Sequence, residues 1–176
     1  KGWTVTMIIN DPNAIEARSM EIIESELTVD IPEENKAVVK RVIHCTAAFE
    51  YAVNLAFSDG ACAKAIEALK NGCDIVTDTQ MAKSGINKTA AAKLGCEIHC
   101  FMSDPDVAQT AKERGCTRAV ASMEKAAKLC KPVIFVVGNA PTALLALRSA
   151  SKISFRSGFC TKGTVSIAFR TNLGIS

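Results

Sequence analysis

Histidine is the side chain best suited to move protons near neutral pH, since its reference pKa is about 6.5. The sequence has two histidines, His44 and His99. The apolar residues of the helix predicted around His44 form one stripe: Val38, Val39, Val42 and Ile43. At about 100° per residue, the centre of that stripe lies about 170° away from His44. We therefore expect His44 to lie outside the packed core, either on the surface or facing a ligand or a partner subunit.

A second place for chemistry is the segment 137–142, Val-Gly-Asn-Ala-Pro-Thr. It follows the strand predicted over 132–137, and open α/β sheets bind ligands at the carboxyl ends of their strands. Gly138 allows a close backbone approach, and Pro141 begins a helix whose free N–H groups can bind an anion. The same pattern fits an ordinary strand-to-helix connection, and spacing alone does not separate the two interpretations.

The eight cysteines form no Cys-x-x-Cys pair. The tightest group is Cys96-Glu-Ile-His99-Cys100, in a predicted strand. Successive side chains of a strand point to opposite faces, so His99 faces away from the two cysteines and one metal ion cannot bind all three. We predict no metal site, and we expect buried, reduced thiols of the kind found in the cytoplasm.

The elements that must position these residues alternate between helices and strands. Helices are predicted over 12–27, from 33 onward, and over 59–70, 79–84, 88–94, 104–115, 117–130 and 140–147. Strands are predicted over 74–78, 97–101 and 132–137, the last as the clearest buried strand, with an apolar stretch at 52–57. This alternation predicts an α/β single domain with a mostly parallel sheet and helices on both faces.

Composition excludes several classes of protein. A chain of 176 residues that is 48% hydrophobic can bury the core of one domain. No apolar run approaches the length of about 18 residues that a membrane span needs, and we see no secretory signal. Aromatic residues make up only 5%, which argues against base stacking on nucleic acid. Glycine-rich nucleotide-binding motifs are also missing.

Charge is unevenly distributed along the chain. Residues 148–176 contain five basic and no acidic side chains, together with six serines. The rest of the chain is mildly acidic. Because these last residues show no sustained helical or strand period, we expect a poorly ordered tail.

Several segments together resemble the precorrin-8X methylmutase family. They are Asp11-Pro-Asn-Ala-Ile-Glu-Ala-Arg-Ser19, Arg41-Val-Ile-His44-Cys-Thr, Ala65-Ile-Glu-Ala-Leu-Lys-Asn-Gly72, Asp78-Thr-Gln-Met81 with Gly85, Thr117-Arg118, and Gly138-Asn-Ala-Pro-Thr-Ala-Leu144. The resemblance covers residues 7–147. Residues 1–6 match nothing in it, and the basic, serine-rich tail 148–176 replaces the family's last segments. Ala48 stands where members often carry an acidic residue.

The resemblance implies a cytoplasmic isomerase of cobalamin (vitamin B12) synthesis. Such an enzyme moves a methyl group from C-11 to C-12 of precorrin-8 or cobalt-precorrin-8 and forms a corrin. A sigmatropic shift creates no free carbanion, so the resemblance implies no cofactor. By the same resemblance, His44 is the catalytic acid and Ser19, Arg118, Asn139 and Thr142 bind substrate. It also implies a homodimer with neither nucleic acid nor membrane as a partner.

Two other functions remain open from the sequence. The first is a non-catalytic corrinoid- or tetrapyrrole-binding remnant of the enzyme, favoured by the replaced tail and by Ala48. The second is an α/β enzyme that uses a nucleotide, such as a methyltransferase, although no glycine-rich loop supports it.

Overall fold

A computed structural model of the chain describes residues 11–138, 142–149 and 167–169. Contacts divide the chain into two compact units. Unit 1 is Lys1–Cys62 with Ile167–Ser176, and unit 2 is Ala63–Ser166. Each unit has buried hydrophobic residues of its own.

Unit 1 combines two long helices with a short antiparallel sheet. Its elements are α1 (Pro12–Glu26), α2 (Glu33–Thr46), α3 (Tyr51–Asn54), β1 (Leu55–Phe57) and β5 (Ile167–Phe169). β1 pairs with β5 in antiparallel orientation. β5 is a three-residue strand within the basic tail; residues 150–166 and 170–176, on which the prediction of a poorly ordered tail depends, lie outside the described residues.

Local sequence explains how α1 begins and which side of α2 is buried. The Asp11 carboxylate accepts hydrogen bonds from the N–H groups of Asn13 and Ala14, at 3.4 and 3.1 Å, and so caps α1. Val39 and Ile43 of α2 are each only 1% exposed, which confirms the predicted stripe. The spacing of Ile15, Ile22, Ile23 and Leu27 predicts an apolar stripe on α1 as well. This prediction is only partly correct, because Ile23 is buried whereas Ile15 and Ile22 are 47% and 41% exposed.

Unit 2 is an alternation of helices and parallel strands. Its elements are α4 (Ala61–Lys70, with its first two residues in unit 1), β2 (Asp74–Thr77), α5 (Gln80–Gly85), α6 (Lys88–Lys93), β3 (Ile98–His99), a 3₁₀ turn (Phe101–Ser103), α7 (Pro105–Arg114), α8 (Arg118–Ala126), β4 (Val133–Val136) and a helix over 142–149, here α9. The strands pair in the order β3-β2-β4, all parallel. The predicted parallel sheet is confirmed.

Helices cover both faces of this sheet. On one face, Val76 packs with Met123 of α8 and Ala143 of α9, all fully buried. On the other face, Ile75 packs with Ala91 of α6 and with Cys73 and Cys96. The two clusters alternate along β2 because neighbouring side chains of a strand point to opposite faces.

The most buried strand is β2 rather than the segment 132–137. Every residue of β2 is buried, whereas each residue of β4 is half-buried. β2 lies between two neighbours, while β4 lies at an edge of the described sheet. Hydrophobicity alone does not report a strand's position in its sheet, so the sequence-based expectation for 132–137 is wrong.

The described cysteines are free thiols, but they are not uniformly buried. Four of them are buried: Cys62, Cys73, Cys96 and Cys100. Cys45 and Cys130 are exposed and Cys116 is intermediate, which corrects the expectation of buried thiols throughout. Among the described helices, none combines the length and apolar character needed to cross a bilayer.

We expect the stability of the protein to fall at alkaline pH because of Cys73. Burial raises the pKa of the Cys73 thiol to about 11, with a further contribution from Cys96. In an unfolded chain a thiol titrates near pH ~8.5, so above that pH the unfolded state binds fewer protons than the folded state. The free energy of unfolding therefore declines as the pH rises from about 8.5 towards the folded-state pKa of about 11.

Urea unfolding across this pH range measures the effect. Cys73→Ala should flatten the alkaline decline, whereas Cys130→Ala, which removes an exposed thiol, should leave it as in the wild type. An equally steep decline in Cys73→Ala would contradict the assignment to this thiol.

Candidate functional site

His44 lies in the last turn of α2, half-buried and outside the core stripe of its own helix. Glu33 and Glu34 occupy the first turn of α2, so this helix carries acidic groups at its start and histidine near its end, as the helix dipole favours. Ile43 packs in the core of unit 1, and the next side chain along a helix points about 100° away. His44 is therefore available at the edge of that core.

Glu16 of α1 is an acidic group close enough to His44 for the two charges to interact. Arg41 donates a hydrogen bond to the Glu16 carboxylate over 2.6 Å. That bond and the charge of Arg41 lower the pKa of Glu16, and desolvation opposes them in part. The charge of His44 makes a smaller contribution that also lowers this pKa. An ionised carboxylate, held in place by Arg41, thus lies within electrostatic range of the imidazole.

Sequence reasoning missed Glu16, although it lies in the segment from Asp11 to Ser19 that resembles the family. The signal was present: Glu16 and Ser19 are three residues apart, so they occupy one face of α1. The ion pair between Glu16 and Arg41 of α2 could not be predicted from the sequence, because the two residues are far apart along the chain.

Ser19 is half-buried and belongs to the helix that packs against α2. Its hydroxyl donates to the Ile15 carbonyl over 3.0 Å, which leaves the oxygen able to accept a further hydrogen bond. The two helices run antiparallel, since Glu24 near the end of α1 binds Lys36 and Lys40 at the start and middle of α2. The structure therefore places Ser19 and His44 on paired helices of unit 1.

In unit 2, the carboxyl ends of β2 and β4 are tied together by Asp78. This residue follows β2, is 1% exposed, and accepts a hydrogen bond from the Gly138 N–H over 3.0 Å. This hydrogen bond holds the backbone of Gly138 in place, shortly before α9 in the sequence. Among the described residues, the atom nearest to a Cβ placed on Gly138 would be Asp78 Oδ1 at 3.8 Å, an ordinary contact, so these residues do not require glycine there.

The remaining predicted site residues also belong to unit 2. Arg118 is the first residue of α8, which is capped by the Thr117 hydroxyl accepting from the Val120 N–H at 3.3 Å. Arg118 is exposed and makes no ion pair with any residue of the described chain. Thr142 is the exposed first described residue of α9, and Asn139 lies outside the described residues.

Each unit carries its own chemistry: the groups of unit 1 can donate a proton, and those of unit 2 can recognise carboxylates. An imidazole beside a fixed carboxylate is a proton donor or acceptor near neutral pH. An exposed arginine offers the planar pair of N–H groups that matches a carboxylate. Buried Asp78 is a positioning group, because its Oδ2 accepts the hydrogen bond of the Gly138 N–H.

Comparison with known proteins relates the chain to one enzyme family. The family model described as precorrin-8X methylmutase matches residues 14–154. Over 141 residues the chain is 43% identical to the cobalt-precorrin-8 methylmutase of Leptospira interrogans, covering 78% of this chain and 64% of that protein. It is 42% identical over 146 residues to the cobalt-precorrin-8 methylmutase of Salmonella typhimurium, covering 79% of this chain and 70% of the relative.

A solved structure gives the same relationship. The precorrin-8X methyl mutase of Thermus thermophilus matches with a TM-score of 0.72 at 33% identity, covering 80% of this chain and 69% of that one. This likeness confirms the predicted α/β single-domain class with a parallel sheet. The chain spans less than two thirds of the length of the Leptospira relative, at 64%.

Proposed function

This chain belongs to the precorrin-8X methylmutase family, and we propose that it is an isomerase of cobalamin biosynthesis. The reaction moves a methyl group from C-11 to C-12 of a precorrin-8-type tetrapyrrole. The observation that carries the proposal is the family match over residues 14–154, which contains His44 and the nearby ion pair of Glu16 with Arg41.

His44 acts as the proton donor in this proposal. Protonation of a ring nitrogen makes the macrocycle electron-poor, and the methyl group then migrates within the same molecule while its bonding electrons stay in the ring system. The proton leaves afterwards as the corrin forms, so substrate and product have the same atoms and nothing is oxidised or reduced. General acid catalysis of this kind contributes about 10²–10⁴-fold.

Substrate recognition falls to the polar residues at helix starts and on α1. The acid side chains of the macrocycle suit Arg118, whose guanidinium is exposed and has no ion pair within the described chain. Asn139 and Thr142, which follow Gly138 in the sequence, supply hydrogen-bond donors; Asp78 holds the backbone of Gly138. Ser19, whose oxygen can still accept, binds a donor of the substrate.

We assign cobalt-precorrin-8, rather than the metal-free compound, as the preferred substrate. The support is that two relatives named for the cobalt form reach 43% and 42% identity, whereas the precorrin-8X methylmutase of Sinorhizobium is 33% identical; the cobalt-precorrin-8 methylmutase of Synechocystis, at 32%, does not follow this order. The metal ion in this case is part of the substrate.

We also propose that the chain works in the cytoplasm as a homodimer, as the family resemblance implies. Ile15 and Ile22 lie two helical turns apart on α1 and are 47% and 41% exposed, which supports an interface on this helix.

Mixing the reduced protein with cobalt-precorrin-8 and with precorrin-8, and following the absorption spectrum, tests the proposed activity. We expect an immediate shift on binding, followed by conversion to the corrin spectrum, faster with the cobalt substrate. A shift without conversion would instead support a non-catalytic tetrapyrrole binder. No shift at all, together with binding of a nucleotide such as S-adenosylmethionine, would support the methyltransferase alternative.

A further inference from the structure

We propose that Asp74, Glu97 and His99 form a binding site for one divalent transition-metal ion of the Zn²⁺ class. The site lies at the amino-terminal end of the parallel sheet, and it is independent of the proposed function. Along β2, the distance from Asp74 to Asp78 at the carboxyl end is about 13 Å at the usual rise per residue.

The sheet itself brings the three residues together. In register, Val76 of β2 lies opposite His99 of β3, so Asp74 and His99 are on the same face of neighbouring strands. Glu97 precedes His99 by two positions and shares that face. Its carbonyl accepts from the Ile75 N–H over 2.7 Å, which fixes the backbone of the two strands at this end.

The distances between the side chains fit ligands around a metal ion better than they fit hydrogen bonds. His99 Nε2 lies 3.6 Å from Asp74 Oδ1 and 3.9 Å from Glu97 Oε2, and the three ligand atoms lie within 4.8 Å of one another. Nitrogen and oxygen ligands bound to Zn²⁺ at about 2.0–2.2 Å in a tetrahedron are separated by roughly 3.3–3.5 Å. Side-chain shifts below about an ångström therefore complete such a site.

Two of the ligand atoms are buried without a hydrogen-bond partner. They are Asp74 Oδ1 and His99 Nε2, and the Asp74 side chain is only 6% exposed. A buried carboxylate oxygen that lacks a hydrogen bond is costly, and a bound cation offsets that cost. The His99 ring is held by stacking on Phe101, with centroids 5.5 Å apart and an angle of 16° between the planes.

Lys131 is the group that competes with the metal ion. Its ammonium lies 3.8 Å from Asp74 Oδ1 and 3.4 Å from Glu97 Oε1, and the side chain is 52% exposed. A lysine this exposed can turn into solvent and vacate the site, at the cost of a weak ion pair. One imidazole and two carboxylates, with water in the remaining position, form a ligand set that suits Zn²⁺ and Co²⁺.

Titration of the reduced, metal-free full-length chain with Co²⁺, followed by Zn²⁺ displacement, tests the site. We expect one Co²⁺ per chain, visible d–d absorption, and no thiolate charge-transfer band. His99→Gln and Glu97→Gln should each weaken binding by about tenfold or more. Lys131→Ala should strengthen it by about two- to fivefold, since a competing ion pair is lost.

Glu97→Gln distinguishes loss of metal binding from loss of folding. The Glu97 side chain is 65% exposed, so its replacement should not disturb the fold. Glu67→Gln, which replaces an exposed carboxylate on α4, is the matched control and should bind Co²⁺ as the wild type does. The proposal is overturned if the wild type does not bind, if His99→Gln and Glu97→Gln bind unchanged, or if a thiolate band assigns the metal to cysteines. In the first case the three residues with Lys131 form an ion-pair cluster only.

Discussion

We expect His44→Ala to lower the turnover of cobalt-precorrin-8 by about 10²–10⁴-fold, the usual contribution of a general acid. The side chain lies at the edge of the unit 1 core rather than within it, so its removal should leave that core packed. The loss should therefore fall on kcat, while the dissociation constant for the corrin product changes little. Single-turnover absorption spectroscopy with the isolated variant measures both quantities.

Cys45→Ala is the matched control for this experiment. Cys45 is the next residue of the same helix and is exposed, so its replacement alters α2 to a similar extent without touching the imidazole. We expect wild-type turnover. A His44→Ala variant that retained more than a few per cent of wild-type turnover would remove His44 from the role of proton donor.

Asp78→Ala is expected to weaken both the fold of unit 2 and the binding of substrate. The buried carboxylate accepts the Gly138 N–H at 3.0 Å, and a hydrogen bond to a charged group is worth about 1.5–3 kcal/mol. Without it, the backbone segment at Gly138, which precedes Asn139 and Thr142 in the sequence, loses this hydrogen bond. We therefore expect the free energy of unfolding to fall by about that amount and KM to rise more than kcat declines.

Asp78→Asn separates the acceptor from the charge. Asparagine has nearly the same shape and keeps a carbonyl oxygen that can accept from Gly138, so it should recover most of the loss in KM. Urea unfolding and steady-state kinetics on the two variants provide the comparison. If Asp78→Ala left both stability and KM unchanged, Asp78 would not position this segment.

Local signals in the sequence were sufficient for most helices and for the position of His44. The caps of α1 and the buried stripe of α2 arise from residues within four positions of one another, and this spacing is fixed by the helix itself. The Asp104–Pro105 start of α7 was also predicted correctly, but the carboxylate acts differently there. Asp104 makes no cap hydrogen bond and instead binds Lys125 over 2.7 Å.

Strand burial and the partners of charged residues were not predictable in this way. The segment 132–137 has the composition of a central strand, yet β4 lies at an edge of the described sheet and β2 is central. The strand predicted over 97–101 is only two residues long in the structure, because the chain turns into a 3₁₀ segment at Phe101. In each case pairing between distant segments decided the outcome.

The sequence by itself determined the α/β class, the family and the position of His44 outside the core stripe of its helix, because periodicity and short motifs depend on neighbouring residues. Only the tertiary structure brought Glu16 and Arg41 together, Asp78 to Gly138, and Asp74 to His99. These partners come from different helices or strands, and their contact depends on helix pairing and strand register. Helix pairing and strand register are set by the packing of the whole apolar core, which no short stretch of the chain encodes.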